Sequence, residues 1–179
     1  MLKSPRLVLR RLYRSDEAAL CVYRSLPDVA RFQSWETFGP SEARRLLDEQ
    51  EQAEPNTPGT WFQLAIVDAA SDMLIGDCGL HFCADDPRQA EVGITLAPSH
   101  QKQGLGTEAL NSVLGYLFDD LGKHRVFAIT DAENTAAAAL FRRLGFRQEG
   151  HFVDSVWFKG GYGSEYLFAM LRHEWQNRQ

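Results

Sequence analysis

The stretch Gln101-Lys102-Gln103-Gly104-Leu105-Gly106-Thr107 decides how this chain is read. Ahead of it runs Glu91-Val92-Gly93-Ile94-Thr95-Leu96, a strand candidate closed by Pro98. Behind it, Glu108 opens a run in which Ala109, Leu110, Val113, Leu114, Leu117 and Phe118 recur at helical spacing. The two glycines therefore sit where a strand turns into a helix. The first N–H groups of a helix have no intrahelical partner, and with the positive end of the helix dipole they form a site for an anion such as a phosphate. Glycine allows the tight bend and puts no Cβ in a ligand's way. The Lys-Ser/Thr pair of a nucleotide P-loop does not follow these glycines, and the third glycine of a dinucleotide-binding turn is missing. ATP and NAD fit the stretch poorly.

Working outward, Arg6 to Leu12 alternates charged and apolar residues and predicts a first strand on a sheet edge. Ser15 or Asp16 caps a helix carrying Ala18, Ala19, Val22 and Tyr23, and Ser41 with Glu42 starts a second helix that the Pro55-to-Gly59 cluster ends. Trp61–Val67 and Leu74–Phe82 are β-rich runs joined by a polar turn, so with Glu91–Leu96 they give three sequential antiparallel strands. Beyond the central helix, Arg125–Ile129 reads as a buried strand, and its helical crossover makes it parallel to the strand before. Asn134 caps a further helix that Gly145 stops, and Phe146–Trp157 with Glu165–Leu171 closes the sheet as an antiparallel pair.

Composition bounds the function. A chain of 179 residues that is 44% hydrophobic and 24% charged suits one globular domain over 1–179. A net charge of −5 and a pI near 5.5 argue against a nucleic-acid partner and suit a cationic one such as an amine. Charges interrupt the N-terminal region, and no apolar run reaches membrane-spanning length, so a cytoplasmic protein with no membrane partner is expected. Cys21, Cys78 and Cys83 lack metal or disulfide spacing, as do the scattered histidines, and no metal is expected.

The motif Gln101-x-x-Gly104-x-Gly106, followed by Asn134-x-x-Ala137-x-x-x-Phe141-x-x-Leu144-Gly145-Phe146, resembles the two signatures of the GCN5-related N-acetyltransferases (GNAT). Ser4–Arg10, Ile75–Leu80, Lys159–Tyr162 and Leu171–Trp175 resemble the branch that holds ribosomal-protein N-terminal acetyltransferases. The resemblance implies an α/β (α+β) GNAT fold. That fold is a mixed, mostly antiparallel sheet of about seven strands with a splayed parallel pair, flanked by about four helices, in the order β-α-α-β-β-β-α-β-α-β-β.

It further implies acetyl-CoA as co-substrate and transfer of its acetyl group to a primary amine by direct attack. The acceptor is a protein N-terminus or a small-molecule amine, and the protein is a monomer or homodimer. In such enzymes the backbone at Ile94 and Leu96 meets the pantetheine arm and supplies an oxyanion donor. Gln101, Lys102, Gln103, Gly104, Gly106 and Thr107 hold the pyrophosphate, and Asn134 and Phe141 complete the cofactor site. A carboxylate takes the amine's proton. Glu91, on the strand leading into the bend, is the first candidate, with Glu165 and Asp131 as alternatives; His81 and His100 are placed to take part in proton movement. Phe32, Trp35 and His81 are the acceptor-side candidates.

The chain departs from its relatives at the leaving group. Phe141 stands where many members carry a tyrosine, and Ala137 where the ribosomal branch often carries a serine, so neither protonates the sulfur. Water can do so, since a thiol of pKa about 8.5 is a tolerable leaving group. Tyr162 is the candidate donor from elsewhere, with Ser164 and Tyr166 close by in sequence. Two other functions compete: a non-catalytic acyl-CoA-binding module, motivated by the missing donor, and an antibiotic- or polyamine-modifying enzyme. The latter calls for a compact acidic pocket, whereas a peptide acceptor calls for an open groove.

Overall fold

Alternating burial along the chain resolves into eight strands of one sheet in the computed structural model, which describes residues 1–178. They are β1 (Leu2–Lys3), β2 (Leu7–Arg11), β3 (Thr60–Asp68), β4 (Leu74–Phe82), β5 (Gln89–Leu96), β6 (Arg125–Asp131), β7 (Arg147–Phe158) and β8 (Gly161–Leu171). The helices are α1 (Glu17–Arg24), α2 (Pro27–Ala30), α3 (Pro40–Gln52), α4 (Leu105–Gly115), α5 (Thr135–Arg143) and α6 (Arg172–Gln176). The sheet order is β1-β2-β3-β4-β5-β6-β8-β7, and β5 with β6 is its parallel pair. No helix among the described residues is long and apolar enough to cross a membrane.

The mixed, mostly antiparallel sheet is the expected one, with three differences in detail. β1 pairs with β2, so the Leu7–Arg11 strand is not the edge. The short α2 and α6 lack the length that makes a periodic pattern visible. The central helix leaves α geometry at Gly115 and continues as a π turn over Tyr116–Asp120, where the Leu121 amide bonds to the Tyr116 carbonyl at 2.9 Å. The indole N–H of Trp175 anchors that turn on Asp119 at 2.9 Å.

Two apolar layers sandwich the sheet. On one face, Leu110, Val113, Leu114 and Leu117 of the central helix and Ala138, Phe141 and Leu144 of the α5 region pack on Leu80, Val92, Val126 and Phe168. On the other, Leu20 and Tyr23 of α1 and Ala43 and Leu47 of α3 pack on Ala65 and Val67 of β3. The second layer packs on the β2–β4 side of that face.

At the rim of that layer lies a buried ion pair. Asp77 of β4 is 1% exposed and Arg24 of α1 is 4% exposed. The guanidinium donates to the carboxylate from Nε at 3.2 Å and Nη2 at 2.5 Å, and the Tyr23 hydroxyl and the Gln63 amide donate to it as well. Burial pushes the Tyr23 phenol well above its usual pKa, which keeps it a donor. The rings of Trp35 and Phe38 lie 4.5 and 5.0 Å from the guanidinium carbon. Removing one member of a buried pair strands the other charge, which costs more than the pair contributes. Asp77→Ala should therefore lose about 3 to 5 kcal/mol of stability in urea unfolding, and a loss below about 1 kcal/mol would mean water reaches Arg24.

Candidate active site

β5 and β6 pair only at Gln89–Arg125, Ala90–Val126 and Glu91–Phe127. Beyond Glu91 they part. β5 follows β4 as far as Leu96, while β6 follows β8 as far as Asp131. The facing backbone edges of Val92–Thr95 and Ala128–Asp131 thus have no strand partner across the wedge. Buried backbone groups require partners, so an open wedge in a sheet is a place for a ligand with its own amides.

The bend after β5 is built as an anion receptor. Gly104 adopts φ +78° and Lys102 φ +59°, the left-handed region that turns successive N–H groups toward one side. The Gln101 amide bonds to the Pro98 carbonyl at 3.2 Å and the Glu108 amide to the Gly104 carbonyl at 3.1 Å. Between them, the amides of Lys102 through Thr107 have no acceptor among the described residues. The Thr107 hydroxyl is buried and also without a partner. A carboxylate in this first turn would repel an anion, but Glu108 is neutralised. It accepts from Ser4 Oγ at 2.7 Å, the Arg6 amide at 2.8 Å and Arg6 Nε at 2.7 Å. Its partial burial works against ionisation, yet these bonds more than offset that and hold its pKa below the ordinary carboxylate value.

A cavity of about 550 Å³ lies over the bend. Leu96, Gln101, Lys102, Gly104, Gly106 and Thr107 form one wall, Asn134, Ala137, Leu140 and Arg143 of the α5 region another, and Asp28, Val29, Phe32 and Gln33 a third. Across the wedge a second cavity of about 500 Å³ is floored by Asp77, Gly79, Val92 and Gly93 and walled by Trp35, Trp61, Asp131 and Glu165. The two share Phe32, Gln33, Ile94, Thr95, Asn134 and Ala137, which form a throat. Gln33 Nε2 donates to Thr95 Oγ1 there at 3.1 Å. A long ligand with its anionic end on the bend can reach through the throat into the second chamber.

The acetyltransferase (GNAT) domain matches residues 6–147. The chain belongs to the GNAT acetyltransferase family. Members of this family move acetyl from acetyl-CoA to an amine, and this chain is such an acyltransferase. It is 30% identical over 175 residues to the N-acetyltransferase p20 of Bacillus licheniformis, covering 97% of each chain. It is 32% identical over 113 residues to a spermidine N(1)-acetyltransferase of Vibrio cholerae, covering 63% of this chain and 65% of that one. A solved spermidine N-acetyltransferase from Vibrio cholerae, in complex with CoA and spermine, superposes with a TM-score of 0.83 at 25% identity, covering 97% of this chain and all of the other. A GNAT acetyltransferase of Bacillus anthracis shares the fold with a TM-score of 0.87 at 24% identity, covering 97% and 99% of the two chains.

The first cavity fits acetyl-CoA. The unpartnered amides and the orphaned Thr107 hydroxyl suit its diphosphate, Lys102 and Arg143 add positive charge, and the unpaired edge of β5 suits the amides of its pantetheine arm.

Of the GNAT site residues expected from the sequence, Ile94, Leu96, Gln101, Lys102, Gly104, Gly106, Thr107 and Asn134 all line the first cavity. Gln103 lies outside it. Its side chain donates to the Ser99 carbonyl at 2.8 Å, and its own carbonyl accepts from Arg6 at 3.0 Å. Asn134 Oδ1 accepts from the Ala137 amide at 3.1 Å, so it caps α5 and keeps its amide N–H groups for a ligand. Phe141 is buried among Phe146 and Phe168 and borders the second chamber. Phe32 and Trp35 line that chamber, but His81 and Glu91 stand one strand pair beyond Gly79 and Gly93, outside the lining. His81 stacks on Trp61 with centroids 5.0 Å apart and sits 4.0 Å from the Glu91 carboxylate. Tyr162 packs edge-on against Trp157, is 68% exposed and lines neither cavity.

Sequence reasoning missed Gln33 and Thr95 at the throat and the Arg24–Asp77 pair in the chamber wall. Only the proximity of Gln33 to Phe32 and Trp35 hinted at the first, and the pair joins residues from separate elements.

Thr107→Val tests the cofactor fit. Removing an unpaired buried hydroxyl should leave stability unchanged or raise it, while losing a hydrogen bond to a phosphate should weaken CoA binding about 10- to 100-fold by calorimetry. Unchanged affinity would place the diphosphate elsewhere.

Proposed function

We propose that this protein acetylates a small cationic primary amine of the polyamine type, by direct attack on acetyl-CoA. The charge of the second chamber carries the reading. Among the described residues Arg24 is the only basic one in its lining and is committed to Asp77, so Asp131 and Glu165, with Glu49 beside Arg45, set the sign of the space. The chamber is also roofed. Lys159, in the turn between β7 and β8, donates to the Ala30 carbonyl at 2.5 Å and the Trp35 carbonyl at 2.7 Å, and Arg31 pairs with Glu133 at 2.8 Å. These bonds hold the segment from Ala30 to Trp35 over the wedge as a strap. A compact, acid-walled space favours a small polycation over a peptide chain, and the relatives include spermidine acetyltransferases.

The residues then take the following parts. Carboxylates of the chamber bind the cationic acceptor and direct one amine toward the throat. Only the neutral amine attacks, and Glu91 takes its proton through water, the usual type of general base for this chemistry. Burial, with the charge of Glu165 added, pushes the Glu91 carboxyl above the ordinary carboxylate pKa, which makes it a stronger base. As the amide C–N bond forms, the thioester C–S bond breaks. The thiolate takes its proton from water, because Phe141 and Ala137 offer none and Tyr162 lies outside both cavities.

Steady-state transfer from acetyl-CoA to spermidine, measured against peptides with free N-termini, tests the acceptor class. Spermidine should lead in kcat/KM by at least about tenfold, the margin that a site matched to one charge pattern supplies. A preference for peptides would overturn the reading. Glu91→Gln should lower kcat by about 100-fold or more at neutral pH with the acetyl-CoA Kd unchanged. The base acts ionised and its pKa is raised. Activity should therefore fall as pH drops through a value above that of a free glutamate, and this limb should vanish in the Gln variant.

A further inference from the structure

Gly93 lies on β5 between Glu91 and Thr95, and by strand alternation the three side-chain positions share one face. Gly93 and Thr95 line the acceptor chamber, and Glu91 lies on the same face just beyond that lining. The cross-strand partner of Gly93 is Gly79 on β4, so two glycines stand opposite each other where side chains ordinarily meet. They are not equivalent. A Cβ on Gly79 would come within 2.9 Å of Gln63 Oε1 and 3.1 Å of the Trp61 ring, so the protein itself occupies that space. A Cβ on Gly93 would meet nothing within 4 Å. The Gly93 backbone is not in the left-handed region, so its conformation is open to any residue. Glycine in a strand interior is destabilising compared with alanine. Neither packing nor backbone geometry accounts for it.

We infer that Gly93 is the specificity-determining residue of the acceptor site, the bare stretch of backbone along which the amine's chain lies on its way to the throat. The inference rests on the acetyltransferase reading above and adds the means of selection. Thr95 is at the throat, where the amine reacts, and Glu91 is at the other end of the lane, roughly 13 Å away by the rise of a strand. The acceptor, and the file of several waters that relays its proton to Glu91 over that distance, must both cross position 93. A side chain there narrows the lane at its middle without touching the cofactor chamber, whose lining does not include Gly93.

A volume series tests this: Gly93→Ala and Gly93→Val, assayed with acetyl-CoA and either spermidine or hydroxylamine as acceptor. For spermidine, kcat/KM should fall about tenfold in the first, which adds one carbon, and about 100-fold in the second, which adds three, the range that added carbons command in a fitted pocket. The loss with hydroxylamine, which needs no lane for a chain, should be smaller, so the spermidine-to-hydroxylamine ratio should fall with each added carbon. The melting temperature should hold or rise, and the calorimetric Kd for acetyl-CoA should stay within about twofold. Equal losses for both acceptors, no loss for either, or a weakened acetyl-CoA Kd would each overturn the role of Gly93. A wild-type protein that binds acetyl-CoA but transfers to neither amine would instead overturn the acceptor class proposed above.

Discussion

The parting of β5 and β6 is the constraint on which the rest of the structure depends. Each strand keeps its outer neighbour to its last residue, so the sheet opens in the middle without fraying at either side. Every other feature of the site stands in a fixed relation to that opening. The α4 bend lies at the end of one arm, the Asn134 cap of α5 follows the end of the other, and the strap crosses over the top. Unpaired backbone edges in a protein interior are costly unless something pairs with them. The opening is stable because a layer of helices braces it on one face, with Leu110 and Val113 of α4 and Ala138 and Phe141 of α5 packed beneath it.

Electrostatics divides the molecule along the same line. On the cofactor side, the lone carboxylate of the α4 first turn is consumed by Ser4 and Arg6, so the amides there act without opposition. On the acceptor side, the lone guanidinium of the lining is consumed by Asp77, so Asp131 and Glu165 face no basic residue of the lining. In both places an ion pair serves less as a source of stability than as a way of removing the wrong sign from a cavity. This explains how a chain with net charge −5 can present an anion site and a cation site within one wedge.

How much of this is legible in the sequence follows from how local each cause is. The α4 bend, its glycines and the Asn134 cap depend on neighbours within a few residues, and they stand where the motif spacing puts them. The strand pairings were legible because hairpin turns and one helical crossover leave few ways to arrange them. The family resemblance supplied the chemistry, which no periodicity encodes. The strap is different. Phe32 to Trp35 has no periodic pattern, and it acquires a role only when Lys159, more than a hundred positions later, reaches Ala30 and Trp35. The Arg24–Asp77 pair joins a helix to a strand of the sheet, and Gln33 meets Thr95 only after the wedge has formed. Gly93 was in plain view in the strand, but its meaning lies in what surrounds it, and a string of letters does not carry empty space.

The strap is tied down chiefly through its main chain. Lys159 binds the carbonyl oxygens of Ala30 and Trp35, groups that every amino acid carries. Between those two anchors, Arg31 and Gln33 are held by their side chains, to Glu133 and Thr95, while Phe32 and Ser34 can be exchanged without touching the Lys159 fastening. The strap thus sets two variable side chains, at positions 32 and 34, in a mount whose grip does not depend on their identity.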